Sequence, residues 1–223
     1  MRRVVLVFAS AFAVLAGPTA FAQDPPPLLP RVVVDLQGLV PVFPNDAPQL
    51  AASRPVLNRD LQPALTVAEL PGAGFGGRAG AHLYFLKYKA MTIGAGGDVM
   101  FGRSSSTPAD ASAGLVPVDE RLRVLSSQLS FNFGSGHGWS YLSGGIGRAQ
   151  WSLRPPGAAA TSADTESLPT ANYGGGARWF AKPHLAFSLD VRLYEIQPGT
   201  SVAGRPGSPR TRLFVIGAGI SLK

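Results

Sequence analysis

The chain has 223 residues with no cysteine, 27 glycines, 15% charged residues and a formal net charge of +7. The lack of cysteine excludes a fold held by disulfides, and sparse charge with abundant glycine argues against an ordinary soluble secreted surface. The basic residues are scattered or lie in connections, with no basic helix or dense run, so nucleic acid is not an expected partner.

Residues 1–22 have the three parts of an export signal. Arg2 and Arg3 form a basic start, Val4 to Leu15 an apolar run, and Ala20, Phe21 and Ala22 a small-x-small cleavage site before Gln23. The apolar run is short of the about 20 residues a spanning helix needs. Residues 23–30, with Pro25, Pro26, Pro27 and Pro30, read as a stiff periplasmic linker. Residues 31–223 then suit one domain. No further run is long and apolar enough for a transmembrane helix, but membrane strands carry a much weaker hydropathy signal.

Eight strands are predicted in chain order: Arg31 to Val42, Phe75 to Leu86, Met91 to Arg103, Arg121 to Phe133, Trp139 to Leu153, Ala171 to Phe180, Leu185 to Glu195 and Thr211 to Leu222. Each reaches the about 9–11 residues of a tilted membrane strand. The connections alternate. Lys87 to Ala90, Gly134 to Gly138 and Ala181 to His184 are hairpin-sized, whereas Pro44 to Gly74, Ser104 to Glu120, Arg154 to Thr170 and Ile196 to Arg210 are long and rich in Pro, Ala and Ser. Short turns on one side and long loops on the other are the layout of outer-membrane barrels, with the short turns periplasmic. The stretch from Leu57 to Leu70 in the first long loop is a place for a short helix or a partner contact.

Successive side chains of a strand face opposite ways. The seventh strand sets Leu185, Phe187, Leu189, Val191 and Leu193 against Ala186, Ser188, Asp190, Arg192 and Tyr194. The third sets Met91, Ile93, Ala95, Val99 and Phe101 against Thr92, Gly94, Gly96, Asp98 and Gly102; the second, fourth and eighth alternate in the same way. In the fifth, Arg148 falls in phase with Leu142 and Ile146, so that strand is expected to leave lipid early or contain a bulge. The aliphatic rows are expected to face lipid and the Gly, Ser and charged rows the interior, which eight strands leave just wide enough for side chains. Phe85, Phe133, Trp139 and Trp179 near the short turns, and Phe75, Phe101, Trp151, Tyr173 and Phe214 near the long loops, read as two lipid-interface girdles.

From Arg31 onward this rhythm resembles the small eight-stranded outer-membrane proteins, the group of the outer-membrane protein A barrel and its X and W relatives. The run Tyr173, Gly174, Gly175, Gly176, Ala177, Arg178, Trp179, Phe180, the turn at Lys182, Pro183 and His184, and the strand Ala186 to Tyr194 are typical of that class. The resemblance implies a Gram-negative cell envelope, insertion by the barrel-assembly machinery and contact with outer-membrane lipid and lipopolysaccharide. Two features depart from it: no peptidoglycan-binding domain follows the barrel, and Lys223 stands where the family usually has an aromatic.

The inward rows gather Asp35, Arg78, His82, Asp98, Arg178, Asp190 and Arg192. Charges inside a barrel must be paired and hydrogen-bonded, so a structural ion-pair network is expected; the same groups lining a narrow ion path are the alternative. Arg103, Arg121, Arg123, Arg154, Arg210 and Arg212 fall at the predicted outer rim, where guanidinium groups suit lipopolysaccharide phosphates. Gly72, Gly74 and Gly77 match a dinucleotide-loop spacing, but a strand follows where a helix is required. His82, His137 and His184 are too dispersed for a zinc site. No G-x-S-x-G occurs, so neither metal, cofactor nor catalysis is expected. The sequence thus predicts an all-β, eight-stranded, antiparallel, up-and-down transmembrane barrel, exported, monomeric and of structural or interaction type. A small-solute channel and a soluble lipocalin-like ligand binder are the rival readings.

Overall fold

The computed structural model describes residues 32–44, 48–53, 70–107, 117–134, 138–201 and 206–223. The export signal, the proline linker, His137 and most of the Leu57 to Leu70 stretch lie outside them. The elements are β1 (Val32–Val42), α1 (Pro48–Ala52), β2 (Phe75–Tyr88), β3 (Met91–Ser106), β4 (Val118–Phe133), β5 (Gly138–Arg154), α2 (Ser162–Thr165), β6 (Leu168–Lys182), β7 (Leu185–Ile196) and β8 (Thr211–Leu222). Consecutive strands pair antiparallel, and β8 pairs with β1, from Val34 opposite Leu222 to Val42 opposite Phe214. The sheet is a closed barrel with no free edge to expose unpaired backbone groups.

Strand pairing runs past the predicted ends. β4 starts three residues earlier than its sequence pattern, at Val118, and β6 starts at Leu168 and ends at Lys182. β5 pairs without a register shift on both sides, so Arg148 is on the outer face because the strand simply continues. The register shifts fall instead near short turns, at Tyr84/Leu86 in β2 and Phe180/Lys182 in β6. Between β2 and β3 only Lys89 and Ala90 intervene, with Lys89 in the left-handed region at φ 53°. Such a tight reversal fixes hairpin register.

The aliphatic rows are on the outside. Leu36, Leu83, Leu125, Leu142, Ile146, Phe187, Leu189 and Ile220 are all exposed, Ile146 by 75%. A calyx binding an apolar ligand needs that row inside, so the lipocalin-like reading fails on sidedness. Phe75, Phe85, Phe101, Phe133, Tyr173 and Trp179 are exposed at the strand ends, as a girdle requires. Trp139 and Trp151 are not: they are 6% and 1% exposed and point inward.

The interior is layered along each strand. β7 presents inward Ala186, then Ser188, Asp190 and Arg192, then Tyr194 and Ile196; β1 presents Val33, then Asp35 and Gln37, then Leu39. Toward the long loops Leu39, Phe43, Met100, Leu122, Val124, Trp151, Leu153, Leu168, Ile196, Leu213 and Val215 form one apolar cluster. Leu50 from α1 and Leu70 join it, so these two described parts of the first long connection pack against that mouth. Toward the short turns Val33, Tyr84, Trp139, Phe180 and Ala186 form a second cluster. The interior is therefore not uniformly polar, as its sequence pattern implied; polar side chains fill the middle and apolar plugs fill both ends.

Candidate functional site

All seven residues assigned from sequence to the interior network are buried, and two of their ion pairs join strands far apart in the chain, β1 to β6 and β2 to β7. Arg178 on β6 grips Asp35 on β1 through Nε to Oδ1 at 3.0 Å and Nη2 to Oδ2 at 2.8 Å. Its Nη1 donates to Asn132 Oδ1 at 3.0 Å, and its guanidinium lies 4.1 Å from the Tyr141 ring. The two-pronged contact and the ring below satisfy the charge on edge and face. Ser221 on β8 donates to Asp35 Oδ1 at 2.5 Å.

The second focus is Asp190 on β7. It receives Arg78 Nη1 at 2.9 Å, Arg192 Nε at 3.3 Å and the Tyr141 hydroxyl at 2.7 Å. Arg192 continues to Asn172 Oδ1 at 2.6 Å, Gln128 Oε1 at 3.1 Å and Ser143 Oγ at 2.5 Å. Asp98 accepts from Ser126 and from Gln128 Nε2, with Arg78 Nε 3.9 Å away. Three carboxylates thus face three guanidiniums, and each of these ions has an opposite charge within 4 Å where solvation is lost.

Sequence reasoning missed Tyr141, Ser143 and Asn172 as members of this layer. The signal was phase: Tyr141 and Ser143 are two and four residues from inward Trp139, and Asn172 is six from Arg178. Glycines make room where strands come closest. A Cβ at Gly94 would stand 2.4 Å from the Tyr84 ring and displace it, and one at Gly176 would stand 2.0 Å from the Leu189 carbonyl oxygen and 2.8 Å from the Tyr141 hydroxyl, so that β6 and β7 could not pair as they do.

His82 Nδ1 is 3.6 Å from Asp35 Oδ2, beyond hydrogen-bond length. Asp35, His82 and Ser221 lie close together, but the hydroxyl bonds the carboxylate rather than the imidazole, and all three are buried. That is not the arrangement that activates a serine. Among the described residues no three metal-ligating side chains converge.

The rim arginines divide into two groups. Arg103 on β3 and Arg121 on β4 are register partners, as are Phe101 and Arg123. Asp119 Oδ2 accepts from Arg103 and Arg121 at 3.3 Å each, and the Arg123 guanidinium stands 5.1 Å from the Phe101 ring. A hollow of about 430 Å³ is lined by Phe75, Phe101 and these three arginines. Arg154, at the end of β5, is the register partner of Asp119. Arg212 is on β8, four strands round the ring from β4, and pairs with Glu195 at 3.1 Å; Arg210 is exposed just before β8. The six residues therefore do not make one cluster.

The third long loop is pinned to the barrel and to the fourth. Asp164 of α2 accepts from the backbone N–H of Leu153 at 3.0 Å and of Thr161 at 2.9 Å. Glu166 Oε1 accepts from Thr200 N at 2.9 Å and Thr200 Oγ1 at 2.6 Å, joining the third long loop to the fourth. At the other end, Lys223 Nζ lies 3.9 Å from the Phe180 ring and 5.3 Å from that of Trp139, and desolvation there lowers its pKa.

No protein-family model matches the chain, and no curated protein matches it. Solved structures do. Neisserial surface protein A (NspA) is similar over 87% of this chain and 97% of its own, at 14% identity and a TM-score of 0.51. The outer membrane enzyme PagL is similar over 86% and 98%, at 10% identity and a TM-score of 0.44. The N-terminal β-barrel domain of Pseudomonas aeruginosa OprF is similar over 85% and 96%, at 10% identity and a TM-score of 0.39. Such identities speak of fold alone, and the barrel fold decides neither for nor against catalysis. The chain has the fold of the small outer-membrane barrels, a closed up-and-down ring of eight antiparallel strands.

Proposed function

We propose that the protein is a resident of the bacterial outer membrane, of structural or interaction type, with a closed interior and its long loops presented outward. The exterior supports the membrane reading: a continuous apolar wall with aromatic side chains at both ends is stable in acyl chains and unstable in water. The export signal read in residues 1–22 agrees with it, and insertion then falls to the barrel-assembly machinery.

One observation carries the closed reading. The polar layer lies between two apolar plugs, with Trp151 and Leu122 on one side and Trp139 and Phe180 on the other. An ion crossing this interior has to shed its water at both plugs and break paired charges between them, each step costing several kcal/mol. A conducting path needs binding weak enough to release the ion, and here each guanidinium already lies within 4 Å of a carboxylate, a pairing that a passing ion has to break. Insertion into planar bilayers tests this: the wild-type protein is expected to give no discrete conductance steps. Reproducible steps that change on Asp190→Asn overturn the closed reading in favour of a narrow channel.

A further inference from the structure

On the outer face of β1 to β4 a cationic patch and an apolar groove meet at Phe101. The groove, about 420 Å³, passes over Gly38 and Gly77 and is bounded by Leu36, Ala79 and Phe101. Gly38 and Gly77 are register partners, and a Cβ at either would meet nothing nearer than 3.6 Å. The glycines therefore leave a dent in the wall beside Leu36 and Phe101. In a bilayer a dent must be filled by lipid, because an empty gap forfeits dispersion contacts along its lining.

Next to the groove, and sharing Phe101 with it, lies the hollow under Arg103, Arg121 and Arg123. The Arg103 and Arg121 side chains are about half exposed, at 51% and 52%. Each gives one N–H to Asp119; a guanidinium has five, so most remain for another acceptor. Three guanidiniums against one carboxylate leave a net positive patch. Phe75 pairs in register with Arg103, and Phe101 with Arg123, which sets the guanidiniums at the depth of the aromatic girdle, where lipid headgroups lie.

We infer that this face holds a phosphorylated glycolipid of the outer leaflet, with its phosphates on Arg103, Arg121 and Arg123 and one acyl chain along the Gly38–Gly77 groove. The inference rests on the outer-membrane reading above, which puts the long-loop end in the outer leaflet. Charge favours a glycolipid over a simple phospholipid. Arg103 and Arg121 sit side by side, with Arg123 two residues along β4, about 6–7 Å away. Three guanidiniums against the one Asp119 carboxylate leave two positive charges, which the two phosphates of lipid A match and the single phosphate of phosphatidylglycerol does not.

The test uses the full chain folded in mild detergent. Native mass spectrometry follows incubation with bisphosphorylated lipid A, its monophosphorylated form or phosphatidylglycerol; heat-modifiable gel migration of the same samples reports the folded barrel. One bisphosphorylated lipid A is expected to stay bound, more firmly than either other lipid. Replacing Arg103, Arg121 and Arg123 together by Gln lowers retention about tenfold or more. Gly77→Phe fills the groove, leaves the guanidiniums in place and also lowers retention. Arg212→Gln, on the far side, leaves it unchanged. Equal retention of phosphatidylglycerol, wild-type retention by the triple variant, or an equal loss in Arg212→Gln each overturns the site. A folded barrel that keeps no lipid A removes the site alone; a chain with no heat-modifiable barrel removes the membrane reading with it.

Discussion

Arg178 and Arg121 are the same residue type in one sheet, yet they differ in nearly every physical respect. The Arg178 side chain is 1% exposed and held by Asp35, Asn132 and Ser221 from three other strands. The Arg121 side chain is 52% exposed and shares one carboxylate with a second arginine. Inside, guanidinium and carboxylate are matched in number; on the β3–β4 rim they are not. Charge that is balanced and buried fixes shape, whereas charge that is unbalanced and exposed is free to meet a ligand.

The sharpest way to break this contrast is at Arg178. Arg178→Met strands a buried carboxylate and is expected to destabilise the folded barrel by about 3–5 kcal/mol, read from urea unfolding in detergent. Adding Asp35→Leu removes the stranded charge and recovers most of that loss; a double variant as weak as the single one contradicts the pairing. Trp151→Ala empties the centre of the long-loop plug and is expected to cost about 3–5 kcal/mol by the same measurement. Leu189→Arg puts a charge on the lipid face between the girdles and costs about 2–4 kcal/mol, again by urea unfolding. Arg121→Gln, at the small end, shifts unfolding by less than about 1 kcal/mol. An Arg121 effect as large as that of Arg178 erases the distinction.

Much of the fold was legible because alternation survives through most of β1, β4, β7 and β8. β8 starts and ends where its pattern does, at Thr211 and Leu222, and the inward row of β7 is inward throughout. Trp139 and Trp151 were misplaced for a physical reason. An aromatic at a strand end suits a girdle or a plug equally well, and only phase separates the two. Trp151 is in phase with Ala149 and Leu153, which are buried, and out of phase with exposed Arg148 and Gln150. Toward the long loops the rule of aliphatic outside and polar inside reverses: on β4, Arg121 and Arg123 face out while Leu122 and Val124 face in. A reading that applies one rule along a whole strand therefore misses both plugs. Pairing inside the polar layer was hidden for another reason. Arg178 and Asp35 are 143 positions apart, and Arg78 and Asp190 are 112 apart, so partner choice is set by the tilt and stagger of the closed sheet, which no local pattern contains.

The seam between β1 and β8 has a kinetic consequence. Asp35, near the start of the first strand, is bound by Ser221, near the end of the last, 186 positions later. Until the final strand is synthesised and docked, the first has an open hydrogen-bonding edge and a carboxylate that lacks its hydroxyl donor. Neither is tolerable among acyl chains. Partial sheets gain little on their own, and loop closure over the whole polypeptide precedes the contacts that reward it. Assembly is thus expected to be slow, all-or-none and in need of a shielded site where the two ends meet.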